Sequence, residues 1–149
     1  MKKLLSLFFI VMVALLVISC SSKDTKTEDI VFIVPEEDLL GKEFVLDNLY
    51  ADKEITISFP ETNTINGKNT VNYYFSDFTL DGNKLVLRAI GSTKMAGSDE
   101  DMLIETEYFD ILNGADTISL DGDSLIITTT SGTNLEYIYR GNITITNEQ

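Results

Sequence analysis

Ser92–Asn113, STKMAGSDEDMLIETEYFDILN, decides how this chain folds. It is the one convincing helical stretch downstream of the N-terminus, and short β-like runs flank it on both sides. Ser98 has N-cap chemistry, because its hydroxyl can accept a backbone N–H that no helical carbonyl reaches. Asp99, Glu100 and Asp101 follow in the first turn, where the helix dipole is positive. The spacing from Ser98 to Asp101 approximates a capping box, and Gly114 supplies a stop. Setting residues about 100° apart gathers Met102, Ile104, Tyr108, Phe109, Ile111 and Leu112 on one broad stripe. Leu103, Thr106, Glu107 and Asp110 lie opposite. Glu105 falls inside the apolar stripe, between Leu112 and Phe109. A carboxylate there is either tuned by burial for binding or acid–base work, or satisfied by backbone N–H groups or a base such as Lys94 or Arg88. The second reading is the commoner fate of a buried acid, and the chain has no His to serve as a catalytic companion.

Upstream, Glu54–Phe59 (EITISF) alternates apolar and polar residues, the pattern of a strand with one wet face. Leu39–Leu46 leads into it, and Pro60 with Glu61–Asn63 breaks it. Thr70–Leu80 alternates with an irregularity near Ser76-Asp77 that predicts a bulge or bend. Val71, Tyr73, Phe75 and Asp77 share one face of this run; Tyr74, Ser76, Phe78 and Leu80 share the other. Asp81-Gly82 is a hairpin signal returning through Lys84–Ile90 (KLVLRAI). Downstream, Asp116–Leu120, Ser124–Thr130 and Thr133–Arg140 are joined by Asp121-Gly122-Asp123 and Ser131-Gly132, which predicts an antiparallel meander. Asn142–Gln149 either adds an edge strand or frays. The fold class expected is α+β, mostly β: a curved antiparallel sheet or partly open barrel of about six to eight strands packed around one helix near residues 98–113.

The N-terminus reads as a targeting segment. Lys2 and Lys3 precede the apolar run Leu4–Ile18, which is short for a membrane span of ~20 residues. The run ends in Val17-Ile18-Ser19-Cys20, which resembles a bacterial lipobox, and Cys20 is the only cysteine of the chain. A thiol is required there because the diacylglyceryl group is attached to sulfur. The expectation is a lipoprotein signal peptide over residues 1–19 and acylation of Cys20, with the membrane as the partner of its acyl chains. Residues 20–38 form a lipidated, flexible tether, and residues 39–149 form the domain, with its core at about 39–140. Within the tether, Ile30–Val34 could be an edge strand or a packed arm, and Glu36-Glu37-Asp38 a solvated face. The implied location is the cell envelope; Ser21 after the cysteine suggests the outer membrane, facing the periplasm, if the cell has two membranes.

Twenty-four acidic residues against eleven lysines and arginines give a formal charge of −13, and cleavage before Cys20 would remove Lys2 and Lys3 to leave −15. Such a surface repels phosphate backbones and argues against nucleic acid as a partner. With one cysteine there is no internal disulfide and no cysteine-based metal site. The 44% hydrophobic content suffices for a packed core, so the acidity does not signal disorder.

Several pieces in order carry a family resemblance: Leu40-Gly41-Lys42-Glu43-Phe44, Ile57-Ser58-Phe59, Gly67 with Val71-Asn72-Tyr73-Tyr74, Ser92-Thr93-Lys94-Met95-Ala96, Glu105 with Tyr108-Phe109 and Leu112, and Gly122-Asp123-Ser124-Leu125. Together they resemble the META domain family, which includes heat-inducible envelope lipoproteins, over about residues 39–140. The resemblance implies a small β-rich domain around one helix, often lipid-anchored and associated with stress responses, antibiotic resistance or secreted virulence traits. It supplies no catalytic set. Many members carry cysteines at the positions of Val71 and Gly97 that could pair; both are absent here, and with them any redox role for that pair.

The functional expectation is a non-enzymatic lipoprotein acting as a binding or envelope-stress module, without a cofactor, toward an envelope protein or small ligand. Two other classes are open. Glu105 with Asp99 or Asp101 could form a carboxylate pair for hydrolysis. Asp121-Gly122-Asp123 and Ser98–Asp101 offer hard oxygen ligands to a cation, although neither has EF-hand spacing. The candidate polar cluster is Thr93, Lys94 and Glu105, expected near one another and holding the helix to the sheet.

Overall fold

The computed structural model describes residues 33–143. The signal segment, Cys20, most of the tether and residues 144–149 lie outside that range. Among the described residues nine strands and one α-helix follow in chain order. They are β1 (Lys42–Leu46), β2 (Thr56–Glu61), β3 (Thr64–Lys68), β4 (Tyr73–Asp81), β5 (Lys84–Leu87), β6 (Gly91–Ser92), α1 (Asp99–Asn113), β7 (Ala115–Asp121), β8 (Ser124–Thr129) and β9 (Asn134–Asn142).

Every pairing is antiparallel, and the strands run β3-β2-β1-β9-β8-β7-β5-β4 before β4 returns to β3. The sheet is therefore a closed eight-stranded barrel, neither a curved sheet nor a partly open one. Closure comes from β3 lying against β4 from Thr64↔Asp77 to Lys68↔Tyr73. The thinnest seam is β5–β7, which holds the single register pair Lys84↔Thr117 beside an ion pair between Lys84 and Asp116.

The expected strand Lys84–Ile90 is broken. It stops at Leu87 and resumes as β6 on the same edge of β4, where Gly91 faces Phe75. The irregularity anticipated at Ser76-Asp77 thus falls on the partner strand, while β4 itself runs on unbroken. Ser76 is buried, and its hydroxyl lies 3.0 Å from the Arg88 carbonyl and 2.9 Å from that of Asp77. The side chain thereby satisfies polar backbone at the break. The first residues of the expected strand Thr70–Leu80 form a tight loop closed by Asn69 N–H on the Asn72 carbonyl. The Asp81-Gly82 and Asp121-Gly122 turns are as expected, with φ +63° at Gly82 and +57° at Gly122.

Alternation sends Phe44, Ile57, Phe59, Phe78, Leu125 and Tyr137 into a common core. Phe44, Phe59 and Phe78 meet edge-to-face at centroid separations of 6.2 and 5.9 Å, the arrangement the ring quadrupoles favour. At the far end the core is stopped by Val34 and Leu39, both buried, on either side of a 3-10 turn at Glu36–Asp38. Packing therefore begins at Val34, upstream of the Leu39 expected from sequence, and residues 33–35 form an arm rather than a strand.

The helix covers the opposite end. Its N-cap is as read: Ser98 Oγ accepts from Asp101 N–H at 3.1 Å. Glu105, Tyr108 and Leu112 are buried, and Ile104, Phe109 and Ile111 of the expected stripe pack half-buried against the core beside them. Met102, placed on that stripe by periodicity, is 37% exposed. Three loops at this end grip the helix. Lys53 of β1–β2 reaches Asp101 at 2.9 Å, Thr70 of β3–β4 donates to the Asp101 carbonyl at 2.7 Å, and Thr130 N–H of β8–β9 donates to Gly114 O at 2.9 Å.

Candidate functional site

Three places on this frame hold side chains with chemistry: a polar clasp under the helix, a buried tyrosine ladder and a groove on the barrel wall.

The clasp is built on Asn72, at the end of the β3–β4 loop. Its backbone N–H donates to Glu105 Oε2 at 2.8 Å and its Nδ2 to Glu105 Oε1 at 2.7 Å. Its Oδ1 accepts from Thr93 Oγ1 at 2.8 Å and Met95 N–H at 2.7 Å. Asn69 Nδ2 adds a bond to the Glu105 carbonyl at 3.3 Å. One asparagine thus ties the β3–β4 loop, the segment before the helix and the helix itself. Glu105 is 6% exposed. Its charge is carried by amide donors, which form strong charge-assisted bonds.

Of the expected cluster, Thr93 and Glu105 come together through Asn72. Lys94 does not: it is exposed, and no ion pair joins it to a described residue. Neither Lys94 nor Arg88 partners Glu105; the amide of Asn72 takes that place. Sequence reading treated Asn72 only as part of a motif. The signal was an Asn at the mouth of a strand, a residue able to bond backbone and side chain at once.

The carboxylate pairing considered for hydrolysis does not form with Asp101. That side chain faces Ser98 at 2.7 Å and Lys53 at 2.9 Å. The Ser98 hydrogen bond and then Lys53 hold its carboxyl below the usual range. Asp121-Gly122-Asp123 forms the β7–β8 turn, with Asp121 paired to Ser124. Among the described residues no group of three or more acidic, histidine or cysteine side chains is placed to hold a metal ion.

The ladder was not anticipated. Tyr74, Tyr108 and Tyr137 are fully buried where the helix meets the barrel. Their hydroxyls stand 2.8 Å (Tyr74–Tyr108) and 3.0 Å (Tyr108–Tyr137) apart. Tyr74 donates to the Thr56 carbonyl at 2.8 Å. A hydroxyl has one proton, so the order is fixed: Tyr137 donates to Tyr108, Tyr108 to Tyr74, and Tyr74 to the backbone. Burial pushes the Tyr108 phenol up to about 12 and those of Tyr74 and Tyr137 well above their ordinary value. All three therefore stay neutral.

The groove lies on the outer wall across β1 to β4 and has a volume of about 530 Å³. Its floor carries the small side chains Thr56 and Ser58, each 3% exposed although they alternate outward with inward Ile57 and Phe59. Thr56 Oγ1 accepts from Lys68 N–H at 3.1 Å, and Ser58 bonds Asn66. Tyr73 and Phe75 border the groove and are 58% and 62% exposed.

The positions at which the family resemblance implied a cysteine pair lie against each other. A Cβ built on Gly97 stands 3.5 Å from Val71 Cβ and 2.4 Å from its Cγ2.

No curated protein matches the chain. Solved structures do match in fold. A protein from Burkholderia xenovorans determined by NMR aligns with TM-score 0.59 and 17% identity, over 72% of this chain and 87% of that one. A second NMR structure aligns with TM-score 0.57 and 19% identity, over 71% and 95%. The crystal structure of a DUF4847 family protein from Bacteroides vulgatus ATCC 8482 aligns with TM-score 0.53 and 13% identity, over 73% and 99%. At these identities the likeness is one of fold. The META domain matches residues 37–141, most of the sequence, and the chain belongs to the META domain family.

Proposed function

We propose that this META domain protein is a lipid-anchored, non-enzymatic binding module of a bacterial cell envelope, held by acyl chains on Cys20. The observation that carries the binding part is the wall groove, where two exposed aromatic rings stand on a closed barrel beside hydrogen-bonding side chains. Such an arrangement presents a fixed face to a ligand. Glu105, the most conspicuous acid in the sequence, supports the same reading: both carboxylate oxygens are engaged by Asn72, so its work is to hold the helix. The anchor rests on Val17-Ile18-Ser19-Cys20 and the basic, apolar run before it. If the source cell has two membranes, Ser21 after the cysteine favours the outer one, and the family resemblance favours an envelope-stress role.

Fractionation tests the anchor. The wild-type chain is expected in the membrane fraction with its N-terminal segment removed, and a signal peptidase II inhibitor is expected to leave the precursor uncut. Cys20→Ala is expected in the soluble or unprocessed pool. Normal processing under the inhibitor would sink the lipoprotein reading.

A further inference from the structure

We propose that the wall groove binds a saccharide chain, with Phe75 and Tyr73 as the stacking platform. This rests on the binding-module reading and gives it a ligand class. Tyr73 and Phe75 are two residues apart on one face of β4, which sets them about 7 Å apart along a strand held on both edges. That suits consecutive sugar rings better than a single compact ligand.

The Phe75 ring is fixed by what lies beside it. Gly91 is its cross-strand partner, and a Cβ there would stand 2.7 Å from the ring's Cζ. The ring thus rests on bare glycine backbone on one side and borders the groove on the other. Aromatic faces carry partial negative charge and sugar C–H bonds partial positive charge, so a pyranose stacks flat on such a ring.

The polar complement points the same way. The floor hydroxyls of Thr56 and Ser58 are already engaged. Beyond the floor, the Tyr73 hydroxyl, the Asn66 amide nitrogen and the Lys68 ammonium bond no described residue and line or border the groove. All three can donate, and the carboxylate of Glu43, which lines the groove and stands 3.6 Å from Arg140 Nε, keeps lone pairs to accept. A ligand matching them presents an apolar face, many oxygen acceptors and a few hydroxyl donors, which is the chemistry of an acetamido-bearing glycan. An anionic polymer is disfavoured by the chain's formal charge of −13. A deep apolar ligand is disfavoured because the groove is open.

The test is calorimetric titration of the full chain in detergent micelles with chitohexaose, alongside an extended peptide rich in Phe and Tyr. The wild type is expected to bind chitohexaose, and Phe75→Leu, which keeps an apolar cover over Gly91 but removes the ring, is expected to weaken binding about tenfold or more. Phe75→Trp is expected to retain it, and Lys68→Met to weaken it less than Phe75→Leu does. Thermal melts unchanged from wild type confirm that the variants are folded. Absence of chitohexaose binding, or binding that Phe75→Leu leaves intact, would overturn the saccharide assignment. Peptide binding lost in Phe75→Leu, without chitohexaose binding, would overturn it as well while leaving the binding-module reading standing.

Discussion

A single amide decides how a buried charge is tolerated in this protein. Asn72 spends its backbone N–H and both ends of its side chain on Glu105, Thr93 and Met95. Asn72→Ala keeps the backbone N–H on Glu105 Oε2 but leaves Glu105 Oε1, the Thr93 hydroxyl and the Met95 N–H without their partner. Its expected cost is ~3 kcal/mol, read as a lower urea midpoint at constant m-value. Glu105→Gln keeps an acceptor for one of the two donors and should cost less than Asn72→Ala; a larger loss for Glu105→Gln would contradict the clasp. The tyrosine ladder makes a second residue-scale prediction. Its phenols are raised in the fold, Tyr108 from 10.0 to about 12, with burial as the largest cause. Below pH 10 the folded and unfolded chains are both neutral at these sites, and the contribution is fully present. As pH climbs from 10 toward 12 the unfolded chain ionises first, and the contribution is lost. For Tyr108 alone this amounts to roughly 3 kcal/mol. Thermal melts from pH 9 to 12 should show a steep alkaline fall that Tyr108→Phe flattens, from a lower starting stability. Sequence exposed Glu105 because its position clashed with the pattern around it. The ladder stayed hidden because a tyrosine on an apolar face looks the same whether its hydroxyl reaches water or another tyrosine.

The element that organises the domain is α1, and its caps, direction and odd acid were legible in local chemistry. Its apolar stripe was legible too: Ile104, Phe109 and Ile111 pack on the core beside Tyr108 and Leu112, and only Met102, in the first turn, stands out of it. The segment entering the helix is locked by packing between Val71 and Gly97. A Val71→Cys, Gly97→Cys double variant in a Cys20→Ala background is expected to oxidise readily, since the built Cβ lies 3.5 Å from Val71 Cβ, within the range disulfides span. The bridge would stabilise the fold by about 3–4 kcal/mol relative to the reduced form. Melting with and without reductant reads this directly, and free thiols persisting under air would contradict it. Gly97→Ala alone should destabilise, because the new methyl meets the Val71 side chain.

At the scale of the whole molecule, the hairpins were legible and the closure was not. The Asp81-Gly82 and Asp121-Gly122 turns name strand neighbours locally. Alternation, however, reads the same in a curved sheet and in a barrel. Besides the β3–β4 seam that closes it, the ring needs two pairings between remote segments, β1 with β9 and β5 with β7, whose partners no short pattern identifies. The break after Leu87 was equally invisible, since KLVLRAI reads as one continuous strand; at the break the buried Ser76 hydroxyl bonds the Arg88 carbonyl.

The plug at the far end, Val34 and Leu39 with the turn between them, has a mechanical meaning. Any pull arriving along the chain from upstream of Ile33 reaches these two side chains before it reaches a strand. They are held by apolar contact, by Gly41 N–H on the Phe59 carbonyl and by Asn63 N–H on the Glu36 carboxylate. The β1 ladder behind them would have to shear along both β2 and β9 at once. Under tension the plug is therefore expected to extract first, releasing a few residues while the β1 ladder holds. The barrel, with its clasp, ladder and groove, is expected to stay whole at loads that empty its far end.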